Sequence, residues 1–326
     1  MSFSFLYWRP FRLLWRAFNL ALAPLKWLIS RQNGQFDAQV ESQPLYKQPD
    51  YSSQNAIGMD YRPHVVKVIH HSKNAIVARL ERGIVLKYPR YAWWDYPNAE
   101  KEYRAVRETK TSFNVEEAIL TALGDHPRIV KFLGTSYDPR GLKFAEANKG
   151  NLQQYLDHHF DELCPTTQAT WCLQAIESIA FIHSKSVIHS DLRPENFLLH
   201  SQPNGEIDLR LCDFGGSTYK NLSGGHLPDS GFFDPRKEWV TTEATDIFSL
   251  GSILFTIMTG HWPHWIAGEE YQAYMDRVDE LFLNSEFPPV DQLRGGFIIR
   301  GCWMDKYDQA SGVLEDYQGL PCEGPA

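Results

Sequence analysis

The chain has 326 residues, 43% of them hydrophobic and 13% aromatic, and a net charge of −8. That is enough apolar material for a sizeable core, which excludes fibrous and wholly disordered classes. The acidic balance argues against a nucleic-acid partner held by bulk charge. Five scattered cysteines, never in C-x-x-C spacing, make a disulfide framework or zinc ribbon unexpected and point to a reducing, cytoplasmic setting.

Residues 1–31 contain five basic side chains and no acidic one. Arg9, Arg12, Arg16, Asn19, Ala23 and Lys26 recur every three or four positions, one narrow polar or small stripe on a helix. Phe11, Leu14, Trp15, Phe18 and Leu22 surround it. A spanning helix needs ~20 apolar residues, whereas the charge-free stretch here runs only over 17–25. Residues 1–31 are therefore expected to form a basic amphipathic helix lying in a membrane surface, making the protein peripheral to a membrane. Docking on the folded domain, a cleaved targeting segment and a misassigned start are the alternatives. Residues 32–60, rich in Gln, Ser, Asp and Pro, read as a linker.

Three β-prone runs follow, at 65–69, 75–80 and 83–87. Residues 113–123 carry apolar side chains at helical spacing, stopped by Gly124 and Pro127. Strands are expected at 129–133 and 142–145. After Gly150 the pattern is helical, at 152–160 and 166–183. A hairpin then joins 197–199 to 206–211 through Pro203-Asn204-Gly205. A further apolar helix is expected over 245–259. A small β-rich lobe followed by a larger helical one is an α+β arrangement.

Four separated pieces carry chemistry: Lys87 closing an apolar strand, Glu116 on the next helix, His189-Ser190-Asp191-Leu192-Arg193-Pro194-Glu195-Asn196, and Asp213-Phe214-Gly215 after a strand. Phosphoryl transfer needs a lysine to neutralise phosphates, a glutamate to hold it, a carboxylate to take the hydroxyl proton, and an amide and second carboxylate for magnesium. Glu117 beside Glu116 is the alternative partner; spacing to Ile119 and Leu120 favours Glu116, while counting back from His126 favours Glu117.

In order and context, H-x-D-L-x-x-x-N, D-F-G and the upstream lysine and glutamate resemble the protein kinase family. So do Asp246-Ile247-Phe248-Ser249-Leu250-Gly251 and His126-Pro127-Arg128-Ile129-Val130. Residues 85–89, 189–198 and 245–260 are similar to fungal-type kinases in wording.

The resemblance implies a bilobal kinase domain over 61–316, with N-lobe 61–144 and C-lobe 145–316, and a tail at 317–326. It implies ATP and Mg²⁺ as cofactors and a protein substrate phosphorylated on Ser or Thr, since Pro-Glu-Asn resembles the Ser/Thr kinases. Lys87 is implied at the α- and β-phosphates, paired with Glu116. Asp191 is implied as base, Arg193 near the γ-phosphate, and Asn196 and Asp213 on Mg²⁺. Phe144 resembles the gatekeeper, with the adenine hinge at Ala145 to Ala147. Val77, Val85 and Leu198 are implied around the adenine. Leu120, His189 and Phe214, anchored by Asp246, are implied as a packed column.

Three departures stand out. The glycine positions of the nucleotide loop hold His70, Ser72 and Ala75, so backbone N–H groups lose the close approach that glycine permits. Lys73 at the tip reads as a solvated turn residue. Ser190 replaces the arginine that usually grips a phosphorylated loop, which implies activity not switched on that way. Asp234-Pro235-Arg236 has a cation where the family pattern has a glutamate. The missing glycines and Arg236 support the alternative, a pseudokinase scaffold with weak or no nucleotide binding. His261 and His264, in a Pro-containing loop, are expected to be structural rather than zinc ligands.

Overall fold

The computed structural model describes residues 65–72, 74–90 and 104–321. The amphipathic segment 1–31, the linker and Lys73 lie outside them. A five-stranded antiparallel sheet is built from β1 (Lys67–His71), β2 (Ala75–Glu81), β3 (Ile84–Pro89), β4 (Phe132–Tyr137) and β5 (Arg140–Ala145), in the order β1-β2-β3-β5-β4. Consecutive strands joined by short turns make hairpins, which fixes β1-β2-β3 and β4-β5 as neighbours. Period-two alternation on β3 buries Leu86 completely and leaves Val85 and Lys87 on the opposite face.

Helix α1 (Arg104–Leu123) turns Phe113, Glu116, Ile119, Leu120 and Leu123 inward. It starts nine residues before the expected helix, because Arg104–Ser112 is polar and shows little apolar period; among the described side chains there, only Val106 and Thr109 are buried. The strand expected at 129–133 is displaced to Phe132–Tyr137. Ile129 is instead buried beside Leu211 in an isolated bridge, and the strand continues through Gly-Thr-Ser, which carries no apolar alternation.

The helical part comprises α2 (Leu152–His159), α3 (Pro165–Ser184), α4 (Glu243–Thr259), α5 (Tyr271–Leu283), α6 (Gly296–Trp303) and α7 (Ala310–Gln318). Helix α4 is buried continuously from Thr245 to Ile257, as expected of a helix apolar all round. Its start is set by a capping box between Thr242 and Thr245. Short strands decorate this lobe: β6 (Val187–Ile188), the hairpin β7 (Phe197–Ser201) with β8 (Ile207–Leu211), and β9 (Thr218–Tyr219) with β10 (Leu222–Ser223). Strand β9 pairs with both β6 and β10, so residues 213–223 are tied to the loop that precedes Asp191. A small sheet lobe with one helix, followed by a helical lobe, is the expected α+β bilobal fold. The four described cysteines are free thiols.

Candidate active site

Strand β3, helix α1 and the end of β8 converge on one ammonium group. Lys87 Nζ donates to Glu116 Oε2 and to Asp213 Oδ1, both at 2.6 Å. Glu116 is the partner, not Glu117, whose Oε1 accepts from Thr135 Oγ1. Burial alone would lower the lysine's pKa; Asp213 and Glu116 outweigh it and raise it above its ordinary value. Lys87 in turn holds the Asp213 carboxyl well below the usual carboxylate range. Burial pushes Glu116 upward, against the pull of Lys87. The Glu116 side chain is 2% exposed and that of Asp213 50%, so the pair with Glu116 is internal while Asp213 faces the open side.

The loop carrying Asp191 is shaped by a carboxylate behind it. Asp246, fully buried in the first turn of α4, accepts from His189 N–H (2.7 Å) and His183 Nε2 (2.9 Å) through Oδ2, and from Ser190 N–H (2.8 Å) through Oδ1. These bonds hold Ser190 at φ +66°, a region that non-glycine residues seldom adopt. His189 packs edge-on against Phe214 with ring centroids 5.2 Å apart, and both are fully buried alongside Leu120. Of the expected column, His189 and Phe214 pack together over Asp246, and Leu120 is buried on α1. Asn196, in a short 3₁₀ turn, donates Nδ2 to the Asp191 carbonyl at 2.7 Å. That commits the amide nitrogen and turns Oδ1 into the group left for a cation.

The residues assigned to the adenine ring lie on the sheet and its exit. Val77 pairs with Lys87 across β2 and β3, and Val85 with Phe144 across β3 and β5, so Val77, Val85 and Lys87 share a face. Phe144 is 6% exposed and lies against Phe132. Leu198 is half-buried on β7. After β5, Ala145 N–H bonds Lys131 O and Glu146 N–H bonds Gly83 O, while Arg79 grips the Glu146 carboxylate. Among the described residues the Ala147 N–H meets no acceptor, so it is the hinge amide still able to donate.

Two assigned features sit differently from the simplest expectation. Arg193 donates to Asp229 Oδ2 at 2.7 Å and to Glu195 Oε2 at 3.2 Å. Arg236 folds back on Asp234 (Nε–Oδ1, 2.8 Å) and reaches Trp303 O, so the reversed charge is satisfied locally. The β1–β2 turn is closed on itself: Ser72 N–H donates to Ala75 O at 2.8 Å and Ala75 N–H to Ser72 Oγ at 3.0 Å. His261 Nδ1 contacts Trp262 O and His264 Nε2 contacts Glu286 O, and no cluster of three His, Cys, Asp or Glu converges among the described residues.

Sequence reasoning missed His226 and Asp229. His226 Nδ1 lies 3.7 Å from Asp191 Oδ2. Burial pushes the Asp191 carboxyl upward, but His226 and Arg193 outweigh it and hold it below its ordinary value. The one sequence hint is a histidine after two glycines, in a segment whose path local pattern does not reveal.

The sequence profile described as protein kinase domain matches residues 98–293. The chain is similar to the serine/threonine-protein kinase ksg1 of Schizosaccharomyces pombe, 30% identical over 209 residues, covering 56% of this chain and 33% of that protein. It is also similar to 3-phosphoinositide-dependent protein kinase 1 of Rattus norvegicus, 30% identical over 201 residues (56% and 33%). Mitogen-activated protein kinase kinase kinase 7 of Bos taurus is 32% identical over 201 residues (58% and 32%). The matched regions span about a third of the length of these relatives.

Proposed function

The chain belongs to the protein kinase family, and on that premise we propose that it transfers the γ-phosphate of ATP, with Mg²⁺, to a serine or threonine hydroxyl of a protein substrate. One observation carries the reading: Lys87 meets Glu116 and Asp213 at 2.6 Å, with Asp191 and Asn196 on the adjoining loop. A permanent cation with a buried partner suits the α- and β-phosphates. The Asp213 carboxylate and Asn196 Oδ1 are hard oxygen donors of the kind Mg²⁺ prefers, and phosphate oxygens and water would complete its shell. The bound cation supplies neutralisation of phosphate charge. Asp191 takes the proton of the acceptor hydroxyl as that oxygen bonds phosphorus and the bond to ADP breaks. Its depressed pKa keeps it ionised and ready to accept.

A second reading, a scaffold that does not transfer phosphate, is favoured by the closed β1–β2 turn. The N–H groups of Ser72 and Ala75 are engaged within the turn rather than offered to phosphates. Titration of MgATP against the full chain, followed by melting temperature, separates the two. Saturation at 100 times the dissociation constant stabilises by about 2.7 kcal/mol. A Mg²⁺-dependent shift lost in Asp213→Asn supports the enzyme; no shift at millimolar ATP supports the scaffold.

We also propose that the protein is cytoplasmic and that residues 1–31 hold it at a membrane surface, on the strength of their basic amphipathic pattern. No described helix is long and apolar enough to cross a membrane. Co-sedimentation with anionic liposomes should disappear on deleting 1–31; binding that persists refutes the assignment.

A further inference from the structure

The Asp191 carboxylate has 20% of its side-chain surface exposed, so it is largely removed from water and needs a partner. Arg193, two residues on, is directed to Asp229 and Glu195. Asn196 meets the Asp191 carbonyl and not its carboxylate. Among the described residues the basic group within 4 Å of that carboxylate is His226, whose Nδ1 lies 3.7 Å from Oδ2 and forms an ion pair with it when protonated.

The approach is built by backbone packing. After β10 the chain doubles back over the Phe214–Gly216 turn. His226 N–H bonds Gly216 O at 3.3 Å, and Gly224 N–H bonds Ser217 O at 2.9 Å. A Cβ on Gly216 would stand 2.5 Å from His226 Cβ and Cγ, and one on Gly224 would run into Gly215 O. Two positions without a side chain therefore allow the strands of this segment to close up, and that closure sets the imidazole beside the base. The ring remains half-exposed, so it borders both Asp191 and solvent.

We propose that His226 is a positioning residue for phosphoryl transfer. Acting through Asp191, it holds Oδ2 so that the other carboxylate oxygen faces the acceptor hydroxyl. This rests on the kinase reading, and its test separates the two.

The test uses the full chain, MgATP and no added protein substrate, reading ADP formation from water and self-phosphorylation as acceptors. Asp191→Asn defines the background. Leucine at 226 keeps side-chain bulk over Gly216 but has no donor; asparagine places an amide nitrogen near the position of Nδ1. His226→Leu should lower kcat about tenfold while the KM for ATP moves less than about twofold. His226→Asn should recover most of that loss. Equal melting temperatures of the two variants establish that both are folded. If His226→Leu turns over at the wild-type rate, or His226→Asn falls as far as His226→Leu, His226 does not position the base, although the kinase reading stands. If the wild type does not exceed Asp191→Asn, the kinase reading fails and this role with it.

Discussion

Replacing Asp246 with asparagine exchanges one carboxylate oxygen for an amide nitrogen at a site with no solvent exposure. The aspartate accepts three bonds, two through Oδ2 from His189 N–H and His183 Nε2, and one through Oδ1 from Ser190 N–H. An asparagine carbonyl placed at Oδ2 keeps the first two. Its NH₂ then points at the Ser190 N–H, donor against donor. The loss is one charge-assisted bond, about 1.5–3 kcal/mol, plus about 1–3 kcal/mol for a buried donor left unsatisfied. Ser190 also loses the acceptor that holds it at positive φ. A destabilisation of about 3–5 kcal/mol is expected. Urea unfolding followed by tryptophan fluorescence should show a lower midpoint with an unchanged slope, and ADP formation should fall with it because Asp191 adjoins the released peptide. A midpoint difference worth less than about 1 kcal/mol would refute the assignment of these bonds as the element shaping the catalytic loop.

Glu116→Gln and Glu117→Gln make a matched pair. The first removes the charge of the buried partner of Lys87 and should reduce turnover by about tenfold to a hundredfold, the equivalent of one charge-assisted bond. The second disturbs a bond to Thr135 and should leave turnover within about twofold, as surface changes usually do; equal effects would overturn the pairing. Asp213 gives a pH signature. Lys87 lowers its folded pKa beneath the unfolded value, so its stabilising contribution is present above about pH 4 and lost as pH falls through the folded value. The stability difference between wild type and Asp213→Asn should stay constant from about pH 5 to 8 and close below about pH 4. A gap that widens on acidification would contradict that sign.

Much of the architecture was legible because it is local. β-prone runs between turn residues marked β2, β3 and β5, and apolar runs at helical spacing marked α3 and α4, to within a residue or two. Where period was missing, as in the polar first half of α1 and the Gly-Thr-Ser stretch of β4, the boundaries moved. The chemistry of Lys87, Asp191, Asn196 and Asp213 was visible because each sits in a short run of neighbours with a shared task.

Local pattern alone supplied the set of groups: a lysine, a glutamate, two further carboxylates and an amide in the order phosphoryl transfer needs. Which of them meet was decided by the fold. Adjacent residues on a helix point about 100° apart, so the rotation of α1 against the sheet selected Glu116 over Glu117. Arg193 found Asp229, 36 positions away, through the path of one loop. His226 reached Asp191 across 35 positions of chain because glycines at 216 and 224 let backbones touch. Contacts of this kind depend on where distant segments are packed, and no pattern of neighbouring residues encodes that distance.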